Sequence, residues 1–509
     1  MRRLDKTSLL TNYRQLCTLP AASLPASYNI LSCNRKIAEC VRNDQTPSAQ
    51  DLFDQMPVRD VVSWNTMLSG LQKAKNPHGV NRCFLQMTRD GFRPNEYTVS
   101  IVLNAFLGTA FNVLVSQVHA VVVRLALNSS VFVGSALMKG YANAGNRVAL
   151  SGVFDEISVK DVSSWNALVS SYMELGCIHE AQTVFDGMLE RNVVSWTSLV
   201  NGYISNKRVN KARSVFDKMS EKNVVSWTVM ISGYVRSHKF VDALDLFLLM
   251  LKSGTRPNHF TFSSVLDACA GCSSLVLGQQ VHSSILKFGV PEDVIMSTSL
   301  VDMYAKCGDI GAALCIFRSM PRKNLVTWNS IIGGYARHGL ATRALEEFQS
   351  MTECGCRPDE VTFVNLLSAC GHGGMVEKGK ILFNSMKAKF GVEPKVEHYA
   401  CMVDLYGRAG ELEEAEKLIQ GMPFQPDVVV WVALLGACGL HSSLELGELA
   451  ATEIDKLGHA HPARYSTLSK IHGERGAWNS VQEFRKTMQE KGIRKQNAGS
   501  WVESPQGMR

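Results

Sequence analysis

The phrase VVSW occurs at 61–64, 193–196 and 224–227, and it marks a unit that recurs along most of the chain. Related segments begin at intervals of 31 or 35 residues. A period in this range is typical of stacked helical hairpins, in which each hairpin contacts only its neighbours. The repeat therefore favours an extended all-α array over a compact enzyme domain, whatever domain count the length alone suggests.

One repeat, 224–258, shows how a unit is built. Apolar residues with the spacing of one helical face occur in its first half and again in its second half. They are Trp227, Ile231 and Tyr234, followed by Ala243, Phe247 and Met250. Gly254 and Pro257 then end the second segment, because glycine stops a helix easily and proline cannot continue one. Each unit is therefore predicted to be a helical hairpin.

The second segment carries an Ala/Phe/Met triad in other repeats as well. A small Ala lets two helices approach, while Phe and Met fill the space between successive hairpins. We interpret these residues as the core of the array rather than as a binding site. The triads are Ala49/Phe53/Met56, Ala181/Phe185/Met188, Ala212/Phe216/Met219, Ala313/Phe317/Met320 and Ala344/Phe348/Met351.

Alignment on this pattern predicts twelve repeats, followed by two divergent hairpins. Most repeats have 31 or 35 residues, whereas a tetratricopeptide array would keep a single length of about 34. The predicted repeats, numbered 1 to 12 below, are 30–60, 61–95, 96–130, 131–161, 162–192, 193–223, 224–258, 259–293, 294–324, 325–359, 360–395 and 396–427. The divergent hairpins are 428–461 and 462–503, and 504–509 form a tail.

Composition sets few limits on function. The net charge of +7 is small for 509 residues, so it permits a polyanionic partner without requiring one. The 14 cysteines are spread along the array, and Cys269, Cys370 and Cys438 share an Ala-Cys context. That pattern is typical of small buried residues in a reducing compartment.

The sequence predicts no membrane-spanning helix, and its first residues predict a targeting segment. No uninterrupted apolar stretch is long enough for a transmembrane helix. Residues 1–29 precede the first repeat and contain four basic residues, several Ser and Thr, and one acid, Asp5. This composition predicts an organellar transit peptide, although a disordered N-terminus has a similar composition.

The repeats resemble the pentatricopeptide repeat family of plant organelles, and within it the PLS subfamily of standard, long and short repeats. The long repeats show the resemblance well, as in FTFSSVLDACAGCSSLVLGQQVHSSILKFG from Phe260 and VTFVNLLSACGHGGMVEKG from Val361. The hairpins at 428–503 resemble the paired E motifs of this subfamily. The resemblance implies an all-α fold, a right-handed α-solenoid of stacked helix–turn–helix hairpins.

In that family each repeat reads one RNA base, through the fifth residue of its first helix and its last residue. Unstacked bases offer donors and acceptors on their edges to short polar side chains. The implied base-reading pairs are Asn34/Asp60, Asn65/Asn95, Ser135/Asp161, Asn166/Asn192, Thr197/Asn223, Thr228/Asn258, Thr298/Asn324 and Asn329/Asp359. An apolar second residue would pack on the base faces, as aromatic platforms do in other single-strand binders. Those residues are Val62, Val194, Val225, Ile295 and Val326.

The two columns of polar residues are not equally informative. Helix interiors disfavour Asn, Ser and Thr, so their recurrence at position five supports base reading independently. Asp and Asn at the last position have a second interpretation, because these residues cap helix N-termini. We expect capping to explain part of that column.

Family pairings then imply an RNA sequence. Asn/Asp corresponds to U, Asn/Asn to a pyrimidine, Thr/Asn to A and Ser/Asp to G, which together predict 5′-U-Y-N-G-Y-A-A-N-A-U-N-N. The remaining repeats are expected to be poor readers: Ser100/Ser130, Ser263/Asp293, Val364/Lys395 and Ala400/Asp427. In family members with E motifs, the array ends a few nucleotides upstream of an edited C.

C-to-U editing requires a deaminase with an H-x-E and P-C-x-x-C zinc site. His472-Gly473-Glu474 and Cys269-Ala270-Gly271-Cys272 imitate the two halves, but their order is reversed and no Pro precedes Cys269. We interpret both as parts of ordinary hairpins, so no catalytic residue, metal or cofactor is predicted. Family members with their own deaminase end in a further DYW domain, whereas this sequence ends at Arg509. We therefore expect a deaminase-bearing protein of the family, or another editing cofactor, to act in trans.

Three functions stay open at this point. A site-recognition factor for C-to-U editing of single-stranded organellar RNA is favoured, because E motifs belong to that role within the family. An organellar splicing or transcript-stabilising factor would use the same repeats. A tetratricopeptide-like scaffold for proteins is the third alternative. The expected location is the mitochondrion, with the chloroplast as the alternative.

Overall fold

The computed structural model describes residues 29–291, 293–458 and 461–491. Within these ranges the chain forms α-helices, one short 3-10 helix and no strand. Nearly all of the predicted transit peptide, the last twelve residues of the second divergent hairpin and the 504–509 tail lie outside the described residues.

The helices alternate along the chain, so that odd labels below denote the first helix of a hairpin and even labels the second. A 3-10 helix, Ala110–Leu114, precedes α6. The α-helices are α1 Ile30–Arg42, α2 Thr46–Asp54, α3 Val61–Lys73, α4 Pro77–Arg89, α5 Glu96–Phe106, α6 Val115–Arg124, α7 Val131–Asn143, α8 Arg147–Glu156, α9 Val162–Glu174, α10 Ile178–Asp186, α11 Val193–Ser205, α12 Val209–Asp217, α13 Val224–Arg236, α14 Phe240–Lys252, α15 His259–Gly271, α16 Leu275–Phe288, α17 Val294–Lys306, α18 Ile310–Ser319, α19 Leu325–Arg337, α20 Ala341–Glu353, α21 Glu360–His372, α22 Val376–Phe390, α23 Val396–Ala409, α24 Leu412–Gln420, α25 Val428–His441, α26 Leu444–Lys456, α27 Pro462–Glu474 and α28 Trp478–Glu490.

The hairpins form two units, one ending at Met219 and the other beginning at Ser220. In the N-terminal unit, successive first helices pack side by side, as α7 does on α9 and α9 on α11. In the C-terminal unit the same packing joins α15 to α17, α17 to α19 and α19 to α21. Each first helix also packs on its own second helix. The predicted all-α architecture of stacked hairpins is confirmed within each unit.

The Ala/Phe/Met triads lie in the core, as predicted. Ala313, Phe317 and Met320 are all buried, and so are their counterparts in repeats 1, 5 and 6. Phe348 is the exception, because its ring is only half-buried while it packs on Phe363 and Phe390. Burial of these apolar side chains between neighbouring hairpins is what holds a solenoid together, since one hairpin cannot bury its own face.

The Trp of the repeated phrase packs edge-on against the Phe of the preceding second helix. A basic residue from the intervening loop lies over the same Phe ring: Arg59, Lys160, Arg191 or Lys323. T-shaped aromatic pairs and cation–π contacts each add to the stability that comes from area burial. The ring-centroid distances are 4.8 Å for Phe53–Trp64, 4.9 Å for Phe154–Trp165, 4.9 Å for Phe185–Trp196 and 5.0 Å for Phe317–Trp328.

A left-handed residue closes the turn inside many hairpins. Gly176 has φ +75° between α9 and α10, which glycine adopts without a steric cost. Lys207 and His238 occupy the equivalent turns at +58° and +55°, where a side chain is strained. In the described ranges, no helix is both long and apolar enough to cross a bilayer.

Candidate functional site

The last residue of each repeat is the N-cap of the next first helix. At the start of α19, the Asn324 side chain accepts hydrogen bonds from the backbone N–H and the hydroxyl of Thr327, both at 2.9 Å. Side-chain capping therefore explains almost the whole column rather than part of it, since among the twelve last residues only Ser130 and Lys395 cap without a side-chain bond. The other side-chain caps are Asp60, Asn95, Asp161, Asn192, Asn223, Asn258, Asp293, Asp359 and Asp427.

Position five lies one turn further along each first helix, between neighbouring first helices. Its side chains are largely withdrawn from solvent: Asn34, Asn65, Asn166 and Thr298 are buried, and Ser135, Thr197, Thr228 and Asn329 are half-buried. Buried polar side chains require hydrogen-bond partners. The partners of these side chains therefore decide what they can offer to a ligand.

In three repeats the predicted pair is directly bonded. The amide of position five donates from Nδ2 to Oδ1 of the last residue, although the two residues are 26 to 30 positions apart in the chain. The bonds join Asn34 to Asp60 at 3.2 Å, Asn65 to Asn95 at 3.3 Å and Asn329 to Asp359 at 3.0 Å. The fold thus brings these pairs together as the base-reading hypothesis requires.

The two carboxylates in these pairs are held in their charged form. At Asp359, partial burial opposes ionisation, but hydrogen bonds from Thr362 and Asn329 outweigh it and lower the pKa. Asp60 has its pKa lowered in the same way by bonds from Ser63 and Asn34, again against the effect of burial. Both repeats therefore present an ionised acceptor at neutral pH.

The Thr readers bond differently. The Thr228 hydroxyl donates to the Val224 carbonyl at 2.7 Å and lies 2.7 Å from the Thr261 hydroxyl. The Thr298 hydroxyl likewise lies 2.7 Å from that of Thr327, so both Thr readers reach their caps, Asn258 and Asn324, through a second Thr. Thr197 and Asn223 belong to different units. Within its own unit, Thr197 donates to the Val193 carbonyl at 2.6 Å.

Two predicted pairs are not bonded to each other. Ser135 Oγ and Asn166 Oδ1 are buried and have no hydrogen-bond partner among the described residues. Their caps, Asp161 and Asn192, instead bond the start of their own helices. The first helices that carry each pair lie side by side, but the position-five atoms are left without a hydrogen-bond partner among the described residues.

The predicted base-stacking residues are exposed apolar side chains, and within each unit we call this set the apolar row. Val62, Val194, Val225, Ile295 and Val326 are between 49% and 61% exposed. Apolar side chains of this kind are usually buried, so their regular exposure indicates a binding surface for a flat apolar ligand. Position two of other repeats is also apolar and exposed, which the alignment of the repeats could have revealed: Leu31, Tyr97, Phe132, Phe260 and Val361.

Two of the residues expected to be poor readers, Lys395 and Ser263, have other partners. Lys395 pairs with Glu360 at 2.6 Å rather than with a position-five side chain. Ser263 bonds Ser299 across the hairpin boundary at 2.6 Å. Over the residues that the structure describes, no three His, Cys, Asp or Glu side chains are grouped to hold a metal ion. Cys269 is buried in α15, and desolvation raises the pKa of its thiol to about 12, so it is not a reactive thiolate at neutral pH.

Comparison with known proteins identifies the family. The model described as PPR repeat family matches residues 59–108, 222–271 and 323–372, and the model described as PPR repeat matches 163–193, 194–224, 295–325, 361–389 and 397–423. The E motif model matches 441–503. Pentatricopeptide repeat-containing protein At5g16860 of Arabidopsis thaliana is 38% identical, over 94% of this chain and 67% of that protein. The chain belongs to the pentatricopeptide repeat family.

Other relatives in the pentatricopeptide repeat family extend beyond the matched region. The mitochondrial protein At2g03880 of Arabidopsis thaliana is 34% identical over 89% of this chain, which spans 62% of that protein. At1g50270 from the same plant is 35% identical over 89% of this chain, which spans 66% of it. The chain thus spans less than two thirds of the length of these two relatives.

A solved structure shares the solenoid fold. The crystal structure of the pentatricopeptide repeat protein PPR10 in complex with an 18-nt psaJ RNA element has a TM-score of 0.52 and 19% identity. The match covers 96% of this chain and 82% of that one. At this identity the likeness concerns the fold, and it confirms the α-solenoid expected from the repeats.

Proposed function

We propose that this protein binds single-stranded RNA in a plant organelle and recognises a site for C-to-U editing. The observation that carries the proposal is the direct bonding of position five to the last residue beside an exposed apolar row. Short polar side chains recognise the edges of unstacked bases, while apolar side chains cover their faces. The RNA complex of PPR10, a protein of the same fold, supports a nucleic-acid ligand over a protein ligand.

The proposed ligand is the string 5′-U-Y-N-G-Y-A-A-N-A-U-N-N, read from repeat 1 to repeat 12. Eight pairs carry its specificity. If each good pair discriminates by roughly 1–3 kcal/mol, as bidentate protein–base contacts do in DNA, eight pairs suffice to select one site. With a net charge of only +7, non-specific attraction to phosphates contributes modestly.

The editing role rests on the E motif at 441–503. In this proposal the chain supplies recognition, and a deaminase-bearing pentatricopeptide repeat protein or another editing cofactor supplies the chemistry in trans through the C-terminal hairpins. We propose the mitochondrion as the location, since relatives such as At2g03880 are named mitochondrial, with the chloroplast as the alternative.

Sequencing of organellar transcripts from a loss-of-function plant line tests this proposal. The expected result is one C that is unedited in the mutant and lies a few nucleotides downstream of a match to the string. Unchanged editing combined with a splicing defect or the loss of one transcript would instead identify a splicing or stabilising factor. A version deleted from Val428 onward should fail to restore editing, whereas a splicing or stabilising factor should survive that deletion.

The protein-scaffold alternative requires its own test. Alanine at Thr197, Thr228 and Asn329 should abolish RNA recognition, because it removes three reading side chains. A scaffold does not require polar residues at these positions, so a triple variant that complements the mutant line fully would favour it.

A further inference from the structure

The third residue of each first helix was not among the predicted reading residues, yet in four repeats it bonds position five of the preceding repeat. In repeats 3, 8, 10 and 11 it is Thr, and its hydroxyl bonds the preceding position-five side chain. In repeats 2, 5, 6 and 7 it is Ser, and in repeats 2, 5 and 6, which follow repeats of the same unit, no such bond forms within the described residues. The Thr residues are Thr98, Thr261, Thr327 and Thr362, and the Ser residues are Ser63, Ser164, Ser195 and Ser226.

Within each unit, whether the position-five side chain leaves a buried atom without a hydrogen-bond partner depends on whether Thr or Ser follows it in the next repeat. The side chain ahead of a Thr is satisfied: Asn65 Oδ1 and Asn329 Oδ1 each accept a hydroxyl hydrogen at 2.7 Å. The side chains ahead of Ser63, Ser164 and Ser195 each keep a buried atom without a partner among the described residues: Asn34 Oδ1, Ser135 Oγ and Asn166 Oδ1. Leaving a buried acceptor or donor unsatisfied is costly, so these side chains are poised to turn toward a new partner. Thr197, ahead of Ser226, instead donates to the Val193 carbonyl of its own helix.

The cause lies in the third residue's own side chain. A β-branched Thr has fewer χ1 states, and here its hydroxyl faces both the cap and the preceding helix. The Thr362 hydroxyl lies 2.7 Å from Asn329 Oδ1 and 2.9 Å from Asp359 Oδ1. A Ser hydroxyl turns fully to the cap: Ser63 bonds Asp60 Oδ1, and Ser195 bonds Asn192 Oδ1.

The side-chain amide of an Asn at position five is therefore held by hydrogen bonds at both its nitrogen and its oxygen, or at only one of these atoms. In repeat 10, Asp359 can only accept, so it takes Nδ2 of Asn329, while Thr362 takes Oδ1. In repeat 1, Asp60 takes Nδ2 of Asn34, but nothing holds Oδ1. An amide held at both ends presents one fixed pattern to a base, whereas the other can rotate to suit more than one.

We propose that the third residue of the following repeat sets how sharply a repeat discriminates bases, with Thr making it strict and Ser making it permissive. This inference rests on the proposed RNA-reading function. Thr is here a positioning residue that acts through the position-five side chain rather than by touching the base. The chain holds matched pairs for the comparison: repeats 2 and 5 are both Asn/Asn, and repeats 1 and 10 are both Asn/Asp.

The experiment exchanges the third residues in the full chain. Thr98→Ser and Ser195→Thr are measured for equilibrium binding to RNAs of the predicted string in which the second or the fifth nucleotide is each of the four bases. Thr98→Ser should lower the ratio of Kd between worst and best base at the second nucleotide by about three- to tenfold, the worth of one hydrogen bond. Ser195→Thr should raise the ratio at the fifth nucleotide by a similar factor.

Both variants keep a capping hydroxyl, so they should fold, and circular dichroism during heating checks this. Each variant also carries its own control, because discrimination at the nucleotide of the unaltered repeat should not change. Thr362→Ser and Ser63→Thr repeat the comparison at the tenth and first nucleotides.

The possible failures are distinguishable. A wild-type chain that shows no base preference at either nucleotide would overturn the reading function and this inference with it. A wild-type preference that the exchanges leave intact would overturn this inference alone. A uniform change in affinity for every RNA would also overturn it, because it would show the third residue to be structural only.

Discussion

Asn329 and Asp359 are 30 residues apart in the chain, yet Nδ2 of Asn329 donates to Oδ1 of Asp359 over 3.0 Å. The bond exists because Asp359 begins the next hairpin as the cap of α21, and stacking places that cap against α19. Two side chains that would address one base are thus ordered before any RNA binds. Ordering in advance reduces the entropy that binding would otherwise cost.

Replacing Asn329 by Thr should change the base that repeat 10 prefers. The pair becomes Thr/Asp, and we expect the preference at the tenth nucleotide to move from U toward G. Binding to RNAs that differ only at this nucleotide measures the shift. The ninth nucleotide, read by Thr298 and Asn324, serves as the control and should keep its preference for A. An unchanged binding profile would contradict the assignment of Asn329 as a reader.

Replacing Val326 by Ala should weaken RNA binding without weakening the fold. The Val326 side chain is 61% exposed in the free protein, so its loss removes little buried surface. If it covers a base, the affinity should fall by about threefold or more. The matched control is Val241→Ala, since Val241 is 66% exposed on a second helix, outside the row. Equal effects of the two variants would argue against a stacking role.

RNA binding should weaken as the pH rises from about 5 to about 7. Asp267 follows Ser263 by one turn on α15, so it shares the face of the reading position. The Asp267 side chain reaches solvent, but neighbouring helices crowd it and remove part of its water. This desolvation and the nearby charge of Asp302 raise the pKa of Asp267 to about 6, while Lys306 has the opposite effect. The carboxyl is neutral below that pH and charged above it, and under the proposed RNA-binding function its charge would repel phosphates that follow the first helices.

The variant Asp267→Asn should remove this step, leaving an affinity at pH 7 about threefold higher than that of the wild type. Fluorescence anisotropy at fixed ionic strength measures both proteins, because screening would otherwise change with the buffer. If wild type and variant show the same pH profile, Asp267 does not lie close to the bound RNA.

Replacing Asp359 by Ala should reduce stability, because α21 loses its cap. The expected loss is about 1 kcal/mol in the free energy of unfolding. The exposed Asp245 of α14, changed to Ala, is the control for loss of a carboxylate, and it should have little effect. Thermal unfolding followed by circular dichroism compares the three proteins.

The Asp359 effect should also depend on pH. Because the pKa of Asp359 is lowered in the fold, its carboxylate contributes stability above the ordinary value of 3.8, and this contribution is lost as the pH falls through the lowered pKa. The difference between wild type and Asp359→Ala should therefore hold from pH 7 to about pH 4 and shrink below that. A difference that vanishes near pH 6 would contradict the lowered pKa.

The fold was predictable because its determinants are local and repeated. The spacing of Ala313, Phe317 and Met320 predicts one face of a helix, and many copies of the same spacing predict a stack of hairpins. The pairing of position five with the last residue followed from family resemblance. The structure adds that Asn and Asp serve capping in nearly every repeat, which the sequence alone could not separate from reading.

The contact of the third residue was not predictable in the same way. Thr362 and Ser195 both look like ordinary partners in a capping box, and the alignment gives no reason to distinguish them. Their difference lies in the direction of a hydroxyl. Its consequence shows only in the stacked structure, where the Thr362 hydroxyl bonds Asn329 while Asn166 Oδ1, ahead of Ser195, has no partner among the described residues.

The double duty of the last residue limits how such an array can be retargeted during evolution. A new base preference obtained at Asp359 must still start α21, so side chains that accept a backbone N–H are favoured there. Asn329 starts no helix and can be exchanged more freely. Changes of target should therefore accumulate first at position five, while the last position varies among the few residue types that cap helices well.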